Sequence, residues 1–225
     1  MPSTIRALPT LLSDQPLFRG LGKEACQRIS AGATISTVGR GGFIFHSGAP
    51  YAGAHVVLSG KAKVARSARD GLERVVGLAQ SGDTLGLECL SRESAYRASA
   101  QALQETRVLA LPRASLAAEL KRNLAFAHAV VDYLSERLEE SLHDLEICTL
   151  LPGRERVASF LLRNAGASAE KFTLPAAKGV VASRLNLTHE HFSRILRQLA
   201  EDGLIEVLGR TIAIRDRPRL RSATA

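Results

Sequence analysis

One long stretch without glycine or proline limits what this chain can fold into. From Leu124 to Cys148 no helix-breaking residue occurs, and apolar or small residues recur every seven positions in two registers. The first register comprises Leu124, Val131, Leu138 and Leu145, and the second comprises Ala127, Leu134, Ser141 and Cys148. Such spacing predicts a long helix with a narrow apolar seam.

The seam allows two interpretations. A core helix would pack within its own domain, whereas a coiled coil would pair the seam with a second copy of the chain. The remaining faces are strongly charged, with Glu136, Glu139 and Asp144 among them, which favours the coiled coil. We therefore expect a parallel homodimer. Its predicted interface comprises Leu124, Val131, Leu134, Leu138, Ser141 and Leu145.

The residues before the long helix carry β-sheet patterns. Between Thr34 and Leu111, short apolar or alternating runs are separated by turn signals at Gly60, at Asp70–Gly71 and in "SGDTLG". Several short strands joined by glycine turns predict a β-roll or barrel.

The residues after the long helix carry a different pattern. Pro152 and Gly153 end the helix and predict a hinge. Beyond them come an amphipathic helix, two short helices joined near Asn186, and two β-rich runs around Gly209 that predict a wing. The predicted fold is α+β, with a sensory β-roll at 1–120, a dimerisation helix at 121–151 and a winged helix-turn-helix at 152–225.

Charge is concentrated in the last third of the chain. The formal net charge is +8, and residues 150–225 hold 13 Lys and Arg against 7 Asp and Glu, whereas residues 1–149 hold 17 against 15. A basic domain beside a nearly neutral one indicates a polyanionic partner. No membrane-spanning run or secretory signal is present, and the three cysteines are scattered, so we expect a cytoplasmic protein without membrane contact.

The segment "LTHEHFSRILRQLAEDGLI" has the pattern of a DNA-recognition helix. Thr188 is a suitable N-cap, and Asn186 tolerates the left-handed backbone that a tight turn requires. The apolar stripe comprises Phe192, Ile195, Leu196 and Leu199, and the opposite face carries Glu190, Ser193, Arg194 and Arg197. Arg can donate two bonds to guanine and Glu can accept from cytosine, so this face predicts base reading in a major groove. A solvated face with a Glu190–Arg194 ion pair is the plainer alternative.

At this point the chain resembles transcription regulators of the Crp/Fnr family over nearly its whole length. The resemblance rests on "LFRGL", "FIFHSGAP", "VVLSGKAKV", "SGDTLG", the long helix and "VVASRLNLTHEHFSRIL". It is most similar to the branch of nitric-oxide-responsive regulators of dissimilatory nitrate respiration. The resemblance implies that the protein is a regulator rather than an enzyme, and no catalytic motif argues otherwise.

The resemblance also implies roles for individual residues. Glu190, Ser193 and Arg194 match the Fnr-type recognition pattern, which implies inverted-repeat DNA with half-sites like TTGAT. His189 takes the position that varies between subgroups and reads the outer base. Arg197, Gly209 and Arg210 match phosphate-contacting positions. RNA polymerase is a further implied partner.

The resemblance leaves the effector open. Members that bind cyclic AMP carry a Glu and a Ser where this chain has Leu87 and Ala98, and they share Gly86 and Arg97 with it. One of three polar contacts therefore survives, and cyclic AMP is not expected. The predicted effector pocket comprises Gly86, Leu87, Arg97, Ala98, Ser141 and Leu142.

The resemblance also extends to regulators with metal-based sensors. An iron–sulfur cluster needs four thiolates and this chain has three cysteines, so no such cluster is expected. Nitric oxide sensed through haem is the first-ranked interpretation, with genes of anaerobic or denitrifying metabolism as the implied targets. The candidate axial ligands are His46, His55, His128 and His143, each of which is also compatible with an ordinary polar role.

Overall fold

A computed structural model describes residues 3–67, 73–91, 95–166 and 171–222 of the chain. The chain divides into two compact units, one comprising Met1–Leu72 and Val76–Leu138, the other Glu73–Val75 and Glu139–Ala225. The predicted turn at Asp70–Gly71 lies outside the described residues. The division at 1–120, 121–151 and 152–225 rests on the sequence patterns, and it stays a prediction.

The first unit is a β-roll flanked by helices. Helices α1 (Ser3–Ser13) and α2 (Lys23–Ile29) come first, and α3 (Arg113–Arg122) follows the strands. The strands are β1 (Thr34–Val38), β2 (Phe43–Phe45), β3 (Gly53–Ser59), β4 (Lys61–Ser67), β5 (Glu73–Gln80), β6 (Thr84–Leu85), β7 (Ser99–Ala102) and β8 (Thr106–Pro112). Among the described residues they form two four-stranded sheets, in the orders β1-β8-β3-β6 and β2-β7-β4-β5.

The core of this unit joins sheet residues to helix residues. Val56, Leu109 and Leu111 from the strands lie in one buried cluster with Leu12 of α1 and Phe126 of the long helix. Because β3 pairs with β8 on one side and with β6 on the other, it is the central strand between them. The predicted β-roll is therefore confirmed, with the helices covering part of it.

The predicted long helix is also confirmed, as α4 (Leu124–Leu150). One of its faces is buried, at Phe126, Val130 and Ile147. The first register of the seam lies on another face, which is solvent-exposed in the single chain, with exposed fractions of 72% at Leu124, 60% at Val131, 59% at Leu138 and 58% at Leu145.

The second register of the seam is partly buried within the single chain, which the sequence did not indicate. Leu134 is half-buried and packs against the core of the first unit, and Cys148 is half-buried within the second. The helix thus has both features that the sequence offered as alternatives, a face packed in its own unit and an unpaired apolar stripe.

The second unit has winged helix-turn-helix architecture. Its helices are α5 (Gly153–Ala165), α6 (Lys178–Arg184), α7 (His189–Glu201) and α8 (Arg217–Ser222), and its strands are β9 (Lys171–Thr173), β10 (Ile205–Leu208) and β11 (Thr211–Ile214). The strands pair antiparallel in the order β10-β11-β9. Phe192 of α7, Val181 of α6 and Leu161 of α5 are fully buried, so the three helices share one core.

Candidate DNA interface and effector region

The turn between α6 and α7 follows directly from its residues. Asn186 has φ 55° and is the one non-glycine residue with positive φ in the described part of the chain. Asn reaches this left-handed conformation at low cost because its short side-chain amide can hydrogen-bond to the nearby backbone. The amide of Leu187 then donates to the carbonyl of Ala182 at 2.9 Å, and Ala182 is fully buried, so a small side chain lets the helices approach closely.

Helix α7 begins with the predicted cap. The Thr188 side-chain oxygen accepts from the His191 amide at 3.1 Å, which satisfies one of the free N–H groups of the first turn. Phe192, Ile195 and Leu199 are buried on the inner face. The buried stripe fixes the rotation of the helix about its axis, and hence which side chains face outward.

The outward face of α7 carries its charged groups unpaired. Glu190, Arg194 and Arg197 are exposed, as is His189, and Ser193 is half-buried. Within the described ranges, the side chains of Glu190, Arg194 and Arg197 make no hydrogen bond or ion pair. The Glu190–Arg194 pair offered as the plainer alternative is therefore not formed, and both side chains are available to a partner.

The two predicted phosphate-contacting residues of the wing, Gly209 and Arg210, lie at the tip of the β10–β11 hairpin. Gly209 has φ 65° at the tip between β10 and β11, where an L side chain would be strained. Arg210 is exposed, but its Nη2 donates to the carbonyl of Leu174 at 3.0 Å. The guanidinium has five N–H donors, so others remain for a phosphate while this bond fixes the side-chain direction.

Gly153, at the break that the sequence predicted after the long helix, is also a point of close packing. It is the first residue of α5, and a Cβ there would lie 3.3 Å from each of His191, Ile195 and Leu187. Such contacts are tighter than ordinary van der Waals separation. The glycine therefore allows the start of α5 to pack directly against the recognition helix, and the hinge at this position stays a prediction.

In the β-roll, four of the six predicted effector residues lie in or near a short turn after β6. Gly86 has φ 78°, and Leu87 is 2% exposed in the core whereas Glu88 next to it is exposed. Ala98 is buried and Arg97 is exposed. Glu88 thus does not replace the missing carboxylate at position 87, because the two side chains differ in burial. Ser141 and Leu142 lie exposed on α4.

An aromatic cluster that the sequence did not reveal lies beside this turn. The Phe45 and Tyr96 rings stack with centroids 4.1 Å apart, and the Tyr51 ring meets Tyr96 edge-on at 5.2 Å. The Tyr96 hydroxyl donates to the Gly53 carbonyl at 2.7 Å. A Cβ on Gly86 would lie 3.1 Å from the Tyr96 ring, so Tyr96 closes directly over the turn that carries the predicted effector residues.

Three side-chain polar atoms of this region are buried without a hydrogen-bond partner in the described part of the chain, the Tyr51 hydroxyl, His55 Nδ1 and the Thr84 hydroxyl. Burial lowers the pKa of His55 to about 4, so its imidazole is neutral at physiological pH. His55 also lines a groove of about 170 Å³ with Gly32, Thr34, Ala52, Gly53, Ala54, Ala110, Leu111 and Pro112. The lining of this groove contains no charged side chain.

The other three candidate haem ligands are surface histidines. His46 is exposed and its ring lies 4.1 Å from that of Phe43, and His128 is exposed on α4. His143 is exposed on α4, with Nδ1 3.8 Å from a Glu146 oxygen. Of the four candidates for an axial haem ligand, His55 is therefore the one in a partly buried, aromatic environment.

Helix α4 makes polar contacts that the sequence analysis missed. In the first unit, the Tyr133 hydroxyl donates to the Thr84 carbonyl at 3.0 Å and accepts from the Thr84 amide at 2.8 Å, and Arg137 pairs with Asp83. These contacts hold α4 against β6, two residues before Gly86. The four-residue spacing of Tyr133 and Arg137 was the available signal, since it places both on one helix face.

No helix within the described ranges has the length and apolar character that a bilayer-spanning segment requires. The charge distribution and the exposed face of α7 instead point to a polyanion as the partner of the second unit.

Comparison with known proteins agrees with this architecture. Residues 155–223 match the Crp-like helix-turn-helix domain, and residues 36–123 match the cyclic nucleotide-binding domain. The nitrogen fixation regulation protein FixK of Azorhizobium caulinodans is 30% identical over 217 residues, which cover 91% of this chain and 86% of FixK.

Solved structures show the same similarity. FixK2 of Bradyrhizobium japonicum superposes with a TM-score of 0.77 at 26% identity, covering 86% of this chain and 98% of that one. DNR of Pseudomonas aeruginosa superposes with a TM-score of 0.52 at 28% identity, covering 96% and 97%. With the recognition helix, the wing and the β-roll all in place, this chain belongs to the Crp/Fnr family of transcription regulators.

Proposed function

We propose that the chain acts as a homodimeric transcription regulator that reads Fnr-like inverted repeats and responds to a small effector in its β-roll. The observation that carries the DNA-reading part is the face of α7, where Glu190, Arg194 and Arg197 are exposed and unpaired on a helix whose other face is buried. A carboxylate facing DNA repels phosphate, so its presence is best explained by a bond to a base.

The dimer is supported by the exposed stripe on α4. Leu124, Val131, Leu138 and Leu145 lie one heptad apart and are each more than half exposed. Leaving such a stripe in water forgoes roughly 1.5 kcal/mol or more per side chain, which pairing with a second α4 would recover. Two recognition helices related by a two-fold axis then match the two halves of an inverted repeat.

Each group on the DNA-facing surface has a distinct proposed task. Arg194 donates two bonds to a guanine, and Glu190 accepts from the amino group of a cytosine. His189 contributes to the outer base, and Ser193 lies beside the central pair. Arg197 and the wing residues Gly209 and Arg210 contact the sugar-phosphate backbone, which sets register without reading sequence.

Titration of the protein with inverted TTGAT repeats tests this proposal. We expect tight binding that falls by about 1–3 kcal/mol for each single-base change at the central pairs. Uniform affinity for all duplexes, with a steep salt dependence and no base preference, would show that α7 contacts only phosphates.

Nitric oxide sensed through haem is our second proposal, and it concerns the effector alone. Its support is the similarity to DNR and the position of His55, a neutral imidazole among Phe45 and Tyr96. When bound, haem would supply an iron that takes up diatomic gases. Neutral imidazole is suitable donor chemistry for such a ligand.

The groove beside His55 is too small for haem, although the imidazole is a suitable ligand. A cavity of about 150 Å³ accommodates a single benzene ring, and the groove at His55 holds about 170 Å³. A tetrapyrrole therefore does not fit within it in the conformation described, and we derive no mechanistic step through haem. Absorption spectra after haem reconstitution decide the point: a Soret band lost in His55→Ala supports the proposal, and its absence in the wild type contradicts it.

A cyclic nucleotide or another small molecule remains the alternative effector, since residues 36–123 match the cyclic nucleotide-binding domain. Leu87 and Ala98 are both buried and neither offers a polar group, which argues against cyclic AMP in particular. RNA polymerase as a partner and a cytoplasmic location complete the proposal, because the DNA that the regulator reads is there.

A further inference from the structure

The strongest polar cluster of the second unit lies away from the DNA-facing surface. Asp144, in the C-terminal half of α4, accepts from three N–H donors. Its Oδ1 accepts from Arg163 Nη2 of α5 at 2.9 Å. Its Oδ2 accepts from Arg184 Nε at 3.1 Å and Nη2 at 2.7 Å. One carboxylate thus joins α4 to two helices of the DNA-binding unit.

Two of the three groups are largely shielded from water, whereas Arg163 is 39% exposed. The side chains of Arg184 and Asp144 are 18% and 24% exposed, and they adjoin buried Ile147 and Phe160. Partly buried charge pairs are screened less than exposed pairs, and a two-bond guanidinium–carboxylate geometry also restricts orientation. The cluster is therefore suited to hold an angle between helices, which a surface ion pair is not.

The partner helix of this cluster ends at the recognition turn. Arg184 is the last residue of α6, and its carbonyl accepts from the Cys148 thiol with sulfur and oxygen 3.7 Å apart. The Arg156 guanidinium donates to the Leu185 carbonyl at 3.2 Å and to the Leu151 carbonyl at 2.7 Å. Side chains of α4 and α5 thus hold the end of α6 two to four residues before the Thr188 cap of α7.

We infer that Asp144 is a positioning residue for DNA recognition: through Arg184 it fixes the angle between the dimerisation helix and the recognition helix, and so sets the half-site spacing that the dimer accepts. The inference rests on the proposed dimeric DNA-binding function. In this proposal Asp144 itself touches no DNA, because it lies on α4 and both of its oxygens are occupied by Arg163 and Arg184. Its effect is confined to operators that engage both recognition helices at once.

The test compares Asp144→Asn with wild type in the full-length chain, on duplexes with one half-site and on inverted repeats whose centre-to-centre spacing varies around one helical turn, about 10 base pairs. We expect unchanged or slightly tighter binding to the single half-site, because a negative charge is removed. On the preferred inverted repeat we expect a loss of about tenfold, with affinities at neighbouring spacings becoming more nearly equal.

Asp202→Asn is the matched control. Asp202 pairs with Arg154 in the same unit, so this variant also loses one carboxylate that is in an ion pair, although Asp144 has two such partners, and neither Asp202 nor Arg154 lies on α4. It should keep the wild-type spacing preference. If Asp144→Asn keeps that preference too, or loses single half-site and inverted repeat to the same extent, Asp144 has no positioning role.

Two checks keep this result distinct from other failures. Wild type that binds no inverted repeat better than random DNA contradicts the proposed function itself, before any variant is considered. If Asp144→Asn does not fold, as judged by its melting curve, Asp144→Glu replaces it. That variant keeps the charge on a side chain one methylene longer, so we expect a shifted optimum spacing, and an unchanged optimum overturns the inference.

Discussion

The DNA-binding unit and the β-roll place their unpaired polar groups in opposite environments. On α7, Glu190, Arg194 and Arg197 are unpaired and exposed, so water solvates them at no cost to folding. In the β-roll, the Tyr51 hydroxyl and His55 Nδ1 are unpaired and buried, and each such group costs roughly 1–3 kcal/mol. The first arrangement suits a large partner that comes to the surface. The second arrangement keeps its unpaired groups in the interior, where a large partner cannot contact them.

The largest expected effect comes from a change in α4, and it tests whether DNA binding depends on dimerisation through this helix. Leu138→Glu places a charge in the exposed seam of α4, and we expect monomers whose operator affinity falls by roughly 100-fold or more, because bivalent binding is lost. Light scattering and DNA titration measure the two properties. Glu136→Gln, also on the exposed surface of α4, should remain dimeric. A Leu138→Glu monomer with full operator affinity would contradict the coupling.

The next effect concerns the exposed groups of α7. Arg194→Ala should cost about 1–3 kcal/mol per half-site and relax base preference at one position, and Glu190→Ala should lose selectivity for the paired cytosine with less loss of non-specific affinity. Arg197→Ala should instead weaken all sequences alike and reduce the salt dependence by about one charge per half-site. Identical behaviour of the two arginine variants, measured on single-base operator variants at several salt concentrations, would remove the distinction between base and phosphate contacts.

Acid should distinguish the two units through Glu119. This carboxylate is fully buried in the first unit, where it accepts from Arg28 at 2.8 and 2.7 Å, and the hydrogen bonds from Arg28 hold its pKa at about 2. A depressed pKa stabilises the fold above the unfolded pKa of about 4.5, and the contribution is lost as the pH falls from there toward 2.

The expected outcome is a melting temperature of the first unit that falls by several degrees below pH 4.5. Calorimetry from pH 6 to pH 3 measures it. Glu119→Gln should lower the melting temperature at pH 6 and show a shallower decline with acid. An equally steep decline in this variant would assign the acid sensitivity to other carboxylates.

The smallest effect sharpens the contrast at the buried groups. Tyr51→Phe removes a hydroxyl without a partner, so the free energy of unfolding should stay equal or rise by up to about 1 kcal/mol. Tyr133→Phe removes a hydroxyl with two bonds to Thr84, and should cost about 1–2 kcal/mol. Urea denaturation of both variants measures the difference. A Tyr51→Phe variant as unstable as Tyr133→Phe would show that the Tyr51 hydroxyl has a partner in solution.

The same contrast explains how much could be read from the sequence. The cap at Thr188, the turn at Asn186 and the two faces of α7 all lie within one short window, where helical periodicity fixes which residues share a face. The long helix and the wing were predictable for the same reason. Each of these features depends on neighbours in the chain.

Other features depend on residues far apart in the chain. Arg28 and Glu119 are separated by 91 positions, and Asp144 and Arg184 by 40. The aromatic cluster draws Phe45, Tyr51 and Tyr96 from separate segments. No local pattern marks such partners, because their approach depends on the packing of whole sheets and helices. The close packing at Gly153 could not be read from the sequence for the same reason, since the side chains that crowd it come from residues far along the chain.

The close packing at Gly153 also has a mechanical consequence. No side chain separates the start of α5 from the recognition helix. A rotation about the residues that precede α5 should therefore move α5 and α7 together. Helix α7 has 13 residues and is therefore about 20 Å long. Turning an arm of that length by roughly 10° moves its far end by about 3.5 Å, close to the rise of one base pair along a DNA strand. A modest rotation there would therefore displace the far end of α7 by about the distance between neighbouring base pairs.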